Sequence, residues 1–209
     1  MLWGWREEKL PGDPEANMDA DRVLLAALTG GEAQMPTIRL YRWNGPAVSY
    51  GRLQEESDIE ALYPNLPRVR RPTGGRAVLH GTDLTITVAV LASQLQRSGG
   101  QGVQASYRTI AAPVVETFRA AGIKADYGTR RGLSGANSTV NCFDLAERSD
   151  LIDTGTGRKI LGCAQRREGN AILQQMSLPL DGLPPLETLV RLLKNAYQTG
   201  FQIEGWQVI

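Results

Sequence analysis

The stretch RRPTGGRAVLH, Arg70 to His80, sets a double glycine between arginines and closes an apolar run with the chain's single histidine. Gly74 and Gly75 permit positive φ and let a ligand lie against the main chain with no Cβ in the way. Arg70, Arg71 and Arg76 supply planar donors suited to carboxylate or phosphate. Ala77 and Val78 offer an apolar wall, and His80 stands at its end, for positioning, for proton transfer or simply to close the loop. A glycine-arginine turn with a purely structural purpose fits the same letters. Two cysteines, Cys142 and Cys163, are the other reactive groups. They make neither a disulfide framework nor a paired zinc spacing, which predicts reduced thiols.

The elements that must hold these residues follow from local signals. Asn17 or Asp19 can cap a helix through Val23, Leu24, Ala27 and Leu28 that Gly30 and Gly31 stop. IRLYRW and AVSYG read as two strands turned at Asn44-Gly45-Pro46, and Asp58 to Leu62 as a brief helix. RVRRP enters the glycine loop as a strand and LTITVAVL leaves it as a buried, β-branched one. A helix is predicted from about Ser106 to Ala121, with Pro113 kinking it or marking a later start. DLID, RKILGCAQ and AILQQMSL follow as an antiparallel meander with turns at TGTG and REGN. Pro184-Pro185 then opens a helix through Leu186, Leu189, Val190, Leu193 and Tyr197, with Gly200 ending it. Strands paired mostly antiparallel with flanking helices predict an α+β fold in one domain spanning residues 1–209. No Rossmann fingerprint or phosphate-binding GxxxxGK[ST] loop is present.

In an unbroken RKILGCAQ strand, Lys159, Leu161 and Cys163 share one face. Four residues at ~3.3 Å each separate Lys159 from Cys163 by roughly 13 Å, too far to touch without a bend. Cys163 then reads as a rival nucleophile or as a small buried hydrophobe.

Composition narrows the partners. The chain has 209 residues, 42% of them hydrophobic, and a formal net charge of +1, which argues against nucleic-acid binding by bulk phosphate neutralisation. The basic residues are nonetheless clustered: Arg68, Arg70, Arg71 and Arg76, then Arg130 and Arg131, then Arg158, Lys159, Arg166 and Arg167. Such a local rim suits a phosphate-bearing ligand or an acidic carrier. The start, MLWGWREEKLPGD, lacks the basic end and apolar run of a signal peptide, and no segment approaches ~20 apolar residues. A soluble, cytoplasmic protein with no membrane partner is expected.

Taken in order, NMDADRVLL, GPAVSYGRLQ, RRPTGGRAVLH, STVNCFDLAERSDL and GRKILGCAQRREGNAILQQMSL resemble the lipoate/biotin protein ligase superfamily, which shares an RRxxGG(G/R)AVxH loop and a K(I/V)xGxAQ strand. The resemblance covers most of the chain. It implies the class II synthetase-like catalytic domain of that superfamily. GGRAVLH in place of GGGAVxHD, and Cys-Phe ahead of the lysine strand, resemble the octanoyltransferase branch; the GRGRxGRxW loop of biotin ligases is missing. The chain ends soon after its last predicted helix, so no C-terminal accessory domain is expected.

That branch implies transfer of an octanoyl group from acyl carrier protein to a lysine of a lipoyl domain, such as that of glycine cleavage H protein, through a cysteine thioester and with no cofactor or metal. By the resemblance, Cys142 is the nucleophile and Lys159 the cation that also donates to the acyl carbonyl. Arg70, Arg71, Thr73, Gly74, Gly75, Arg76, Ala77, Val78, His80, Gly162 and Ala164 are the expected acyl- and substrate-binding residues. Splitting acyl transfer into two steps through a thiolate lowers each barrier, and a nearby cation favours the thiolate. Two other outcomes stay open: an ATP- and Mg-dependent lipoate ligase acting through an acyl-adenylate, and a non-catalytic acyl-binding protein of the same fold. Two departures from the family stand out. Ligases often carry an aspartate directly after the histidine, whereas here Gly-Thr intervene before Asp83, and Cys163 stands where relatives commonly have serine.

Overall fold

A computed structural model describes residues 1–31, 35–95, 102–128 and 149–209. The chain forms β1 (Leu2–Glu7), α1 (Pro14–Thr29), β2 (Thr37–Tyr41), β3 (Ala47–Tyr50), α2 (Glu56–Leu62), β4 (Arg68–Arg70), β5 (Val78–His80) and β6 (Asp83–Leu91). It continues with α3 (Ala92–Leu95), α4 (Gly102–Ala120), β7 (Ala125–Tyr127), β8 (Leu151–Asp153), β9 (Lys159–Glu168), β10 (Ala171–Pro179), α5 (Leu186–Gly200) and β11 (Gly205–Val208). Among the described residues, eight strands form one sheet in the order β11-β1-β2-β6-β10-β9-β8-β7, and β4-β3-β5 form a second. β1 pairs parallel with β11 and β2, and the rest of the large sheet is antiparallel. This is the expected α+β fold.

The strands of the large sheet alternate between two different faces. On one, Ile86, Val88, Ile172, Met176 and Leu178 meet α4 and α5 through Ile110, Val114, Phe118, Leu189, Leu193 and Tyr197, which together make the main core. α1 covers the other face, and there the contacts turn polar. Asp21, with a fully buried side chain, accepts from Arg39 Nη1 (3.0 Å), Tyr41 Oη (2.9 Å), Thr87 Oγ1 (2.8 Å) and Gln175 Nε2 (2.7 Å).

Several local expectations shift. α1 begins earlier than predicted because Asp13 caps it, its carboxylate accepting from the Glu15 and Ala16 N–H groups, with Pro14 in the first turn. Asn17 is instead buried and donates to the Arg42 carbonyl. β2 and β3 do not form a hairpin: β2 is flanked by β1 and β6 and has no open edge, so the chain crosses to the second sheet at Pro46. α4 continues unbroken across Pro113, whose ring faces Gly200 of α5; a Cβ on Gly200 would lie 3.3 Å from its Cγ.

Candidate functional site

Two cross-strand rows on the α1 side of the large sheet lay the floor of a pocket. Register aligns Tyr41, Thr85, Ser177 and Gly162 in one row and Arg39, Thr87, Gln175 and Ala164 in the next. The second sheet forms the roof. In β5 only Val78 and His80 turn inward, while Leu79 between them is exposed. Met18 of α1 and Trp43 complete the walls of a pocket with about 410 Å³ of empty space, part of it open to solvent, which Met176 borders while also belonging to the main core. Most of its lining is buried, whereas Gly75 is exposed and Ala164 half-buried, so the mouth lies where the glycine loop leans over β9. From there to Trp43 the pocket crosses about three strand spacings, ~14 Å.

Arg71 holds the loop. Its buried guanidinium donates to the carbonyls of Ser49 (2.9 Å), Gly74 (2.7 Å) and Arg76 (2.6 Å). Gly75 has φ +88°, and a Cβ on Gly51 would sit 2.0 Å from the Gly75 oxygen, so both positions require glycine. Thr73 is fully buried and donates to Gln175 Oε1 at 2.6 Å, tying the loop to the floor and through Gln175 to Asp21.

The imidazole of His80 stacks on Trp43 with centroids 3.8 Å apart and planes 15° from parallel. Its Nε2 lies 2.8 Å from Ser49 Oγ and its Nδ1 2.8 Å from Asp83 Oδ2. Since Asp83 accepts at Nδ1 and Arg71 donates to Ser49 Oγ at 3.3 Å, the consistent neutral arrangement has Ser49 donating to Nε2. Asp83, three residues beyond His80, therefore accepts the hydrogen bond from His80 Nδ1–H despite the intervening Gly-Thr. Burial alone would raise the Asp83 carboxyl, but its electrostatic interaction with His80 and hydrogen bonds from His80, Ser177 and the Gly81 N–H outweigh it and leave the group below its ordinary 3.8.

A depressed carboxyl contributes stability that is complete above the unfolded value and lost as pH falls through the folded one. Asp83→Asn should therefore cost about 2 kcal/mol near neutral pH. In urea melts the gap between the two proteins should close as the pH drops below about 4. A gap that persists unchanged at low pH would assign the loss to packing instead.

Lys159 corrects the unbroken-strand expectation. β9 pairs Leu161 with Leu151 but Lys159 with Ile152, so Ile160 is an extra residue and the strand bulges there. Lys159 is thereby turned to the face of Gly162 and Ala164, opposite Leu161 and Cys163. Its ammonium pairs with Asp150 Oδ2 at 2.9 Å, both side chains being 2% exposed, and Asp150 Oδ1 accepts the Cys163 N–H at 2.9 Å. The Cys163 backbone borders the pocket, but its side chain packs on the main core. Burial, and then the nearby Cys163, push Tyr107 of α4 up to about 12.

Of the expected site residues, Arg71, Gly75, Val78, His80, Gly162 and Ala164 line the pocket. Arg70 lies outside it, donating to the carbonyls of Arg52 and Gln54 and covering the Tyr50 ring. Thr73, Gly74 and Arg76 shape the loop without lining the pocket. Ala77 is turned away from it, into a cluster with Val48, Tyr50 and Ile59, because Val78 occupies the inward position of β5. Cys142 lies outside the described residues, as do Arg130 and Arg131. Sequence reasoning missed Met18, Tyr41, Trp43, Ser49, Thr85, Gln175, Met176 and Ser177. A usable signal existed in Gln174-Gln175, two amides inside an otherwise apolar strand.

A mostly antiparallel sheet carries a narrow pocket beneath an arginine-glycine loop, with a buried lysine at the start of an adjoining strand, and this is the architecture of a ligand-binding α+β domain. Residues 13–203 match the Lipoyl protein ligase A/B catalytic domain, and the chain belongs to that family. It is 38% identical over 177 residues to octanoyltransferase LipM of Anoxybacillus flavithermus and 38% identical over 178 residues to that of Geobacillus kaustophilus. Each match covers 80% of this chain and 62% of the relative, so the chain spans about three fifths of their length. The structure of lipoate-protein ligase A bound with ATP shares the fold, with a TM-score of 0.78 at 19% identity, over 100% of this chain and 89% of that one.

Proposed function

We propose that this chain carries the catalytic machinery of an octanoyltransferase, moving an octanoyl group from acyl carrier protein to a lysine of a lipoyl domain such as that of glycine cleavage H protein. The observation that carries this reading is the 38% identity to two octanoyltransferases across four fifths of the chain. The ATP-bound ligase shares the fold at 19% identity, too remote to decide between the two chemistries. Among the described residues no helix is long and apolar enough to cross a membrane, which fits a reaction between cytoplasmic proteins.

In the first half-reaction the Cys142 thiolate attacks the thioester carbonyl of octanoyl carrier protein. The new C–S bond forms as the bond to the carrier's sulfur breaks, and the carrier leaves as its thiolate, which takes a proton from solvent. In the second, the acceptor lysine nitrogen attacks the Cys142 thioester, an amide forms, and the amine's proton passes to a base as Cys142 is released. Lys159 is the cation for both steps: a fixed positive donor favours the thiolate and stabilises the developing oxyanion. Asp150 anchors its ammonium, so no reorganisation is needed as charge builds. The octanoyl tail enters past Gly75 and Ala164 and runs along the floor toward Trp43 and His80.

The test is intact-protein mass spectrometry after mixing with octanoyl carrier protein in the absence of ATP. One hydroxylamine-sensitive octanoyl adduct is expected, lost in Cys142→Ser and kept in Cys163→Ser. No adduct, together with octanoylation of a lipoyl domain once ATP and free octanoate are supplied, would move the chain to the ligase class.

A further inference from the structure

Among the described residues that line the pocket, only Gly75 is exposed, so an acyl group that enters there passes over the glycine loop. The ground around that mouth is basic. On one side Arg52 is exposed, its N–H bonded to the Thr73 carbonyl of the loop at 2.9 Å, and Arg70 reaches back to the Arg52 carbonyl. On the other, β9 leaves the pocket at Ala164 and continues into Arg166, which donates to the Pro72 carbonyl of the same loop, and the exposed Arg167. The carboxylates nearby are largely engaged. Glu168 pairs with Arg166, and Glu56 accepts from Tyr50 and pairs with Arg68, while Glu55 adjoins the turn that carries Arg52. Each side also presents a large apolar side chain to water: Leu53, 77% exposed, and Val103, 58% exposed at the start of α4, where Arg167 donates to the Gly102 carbonyl.

Arginines with apolar tips between them, around the entrance to a buried pocket, suit an acidic protein face with a shallow apolar centre. We propose that this rim is the docking surface for the acidic acyl-carrying donor, and that it guides the carrier's arm over Gly75; the inference rests on the octanoyl-transfer reading above. The arginines set approach and register, because charges at the edge of an interface act chiefly on association rate and its salt dependence. The leucine supplies the short-range contact. A small acyl thioester that lacks the protein carrier has nothing to place on the rim and enters the pocket without it.

The experiment compares acyl-enzyme formation from octanoyl carrier protein and from octanoyl-pantetheine in wild type, Arg52→Glu/Leu53→Asp and Arg167→Glu, across a salt series. The expected result is a loss of about tenfold or more in kcat/KM for the protein donor at low salt, with a flatter salt dependence and no change for octanoyl-pantetheine. Equal rates from the protein donor in all three proteins would overturn the proposal, as would a parallel loss with octanoyl-pantetheine. A loss confined to the later transfer onto a lipoyl domain would also overturn it, by assigning the rim to the acceptor. If wild type forms no acyl-enzyme from either donor, the octanoyl-transfer reading itself has failed.

Discussion

Arg39→Met lowers the stability of the domain by about 3–5 kcal/mol, the usual consequence of leaving one member of a buried ion pair uncompensated. Arg39 is 3% exposed at its side chain and Asp21 0%. The guanidinium donates to Asp21 Oδ1, to both the backbone and side-chain oxygens of Asn17 and to Glu8, so methionine fills part of the volume and satisfies none of these acceptors. Burial already holds the Asp21 carboxyl above its ordinary 3.8, and Arg39 is the largest influence opposing that rise. Without it the folded-state value climbs further. A carboxyl raised on folding binds its proton more tightly in the folded state, so the variant is most destabilised at neutral pH and recovers as the solution is acidified. Urea melts of Arg39→Met, Asp21→Asn and the double variant measure this directly. The double variant should be more stable than the sum of the single losses predicts; strict additivity would show that the two side chains contribute independently.

The same variant tests how stability reaches the site. Asp21 is bonded to Gln175, and Gln175 to Thr73, so the ion pair under α1 and the glycine loop over the pocket belong to one hydrogen-bonded chain. Loosening the pair releases the floor beneath the loop.

What the sequence disclosed depended on the range of the interaction. LTITVAVL and AILQQMSL are strands whose β-branched and apolar content states their burial, and β6 and β10 lie at the centre of the large sheet. The order of the motifs was enough to indicate the loop, the lysine strand and the fold class. The bulge at Ile160 was not readable, because it exists only in the mismatch between β8 and β9, and it turns Lys159 to the face opposite Leu161, although Lys159 does not itself line the pocket. Trp43 and Ser49 were hidden for a similar reason. They follow each other closely in the chain, but Trp43 lies just beyond β2 of the large sheet and Ser49 in β3 of the second, and the packing of one sheet over the other brings both against His80. Ala77 shows the converse error: a run of small apolar residues beside the glycines looked like one wall, yet alternation in β5 sends Val78 and His80 inward and leaves Ala77 to another cluster.

Gly162→Leu sharply lowers octanoyl loading while leaving a folded protein. Gly162 ends the floor row that runs through Ser177, Thr85 and Tyr41, and the absence of a side chain there keeps the path from Ala164 to Trp43 open for an alkyl chain. A leucine on the same face projects into the space the tail would occupy rather than into the main core. Forcing an extra side chain into a filled pocket costs about 1–3 kcal/mol, roughly a fivefold to more than hundredfold loss of acyl-enzyme at a fixed donor concentration. The loss should grow with the length of tail that must pass Gly162, so an acetyl or butanoyl thioester keeps more of its wild-type loading than octanoyl does. Mass spectrometry of the acyl-enzyme over a series of chain lengths, with circular dichroism on the same samples, separates a blocked pocket from a misfolded domain. Octanoyl loading at the wild-type level would place the tail elsewhere and remove Gly162 from its path.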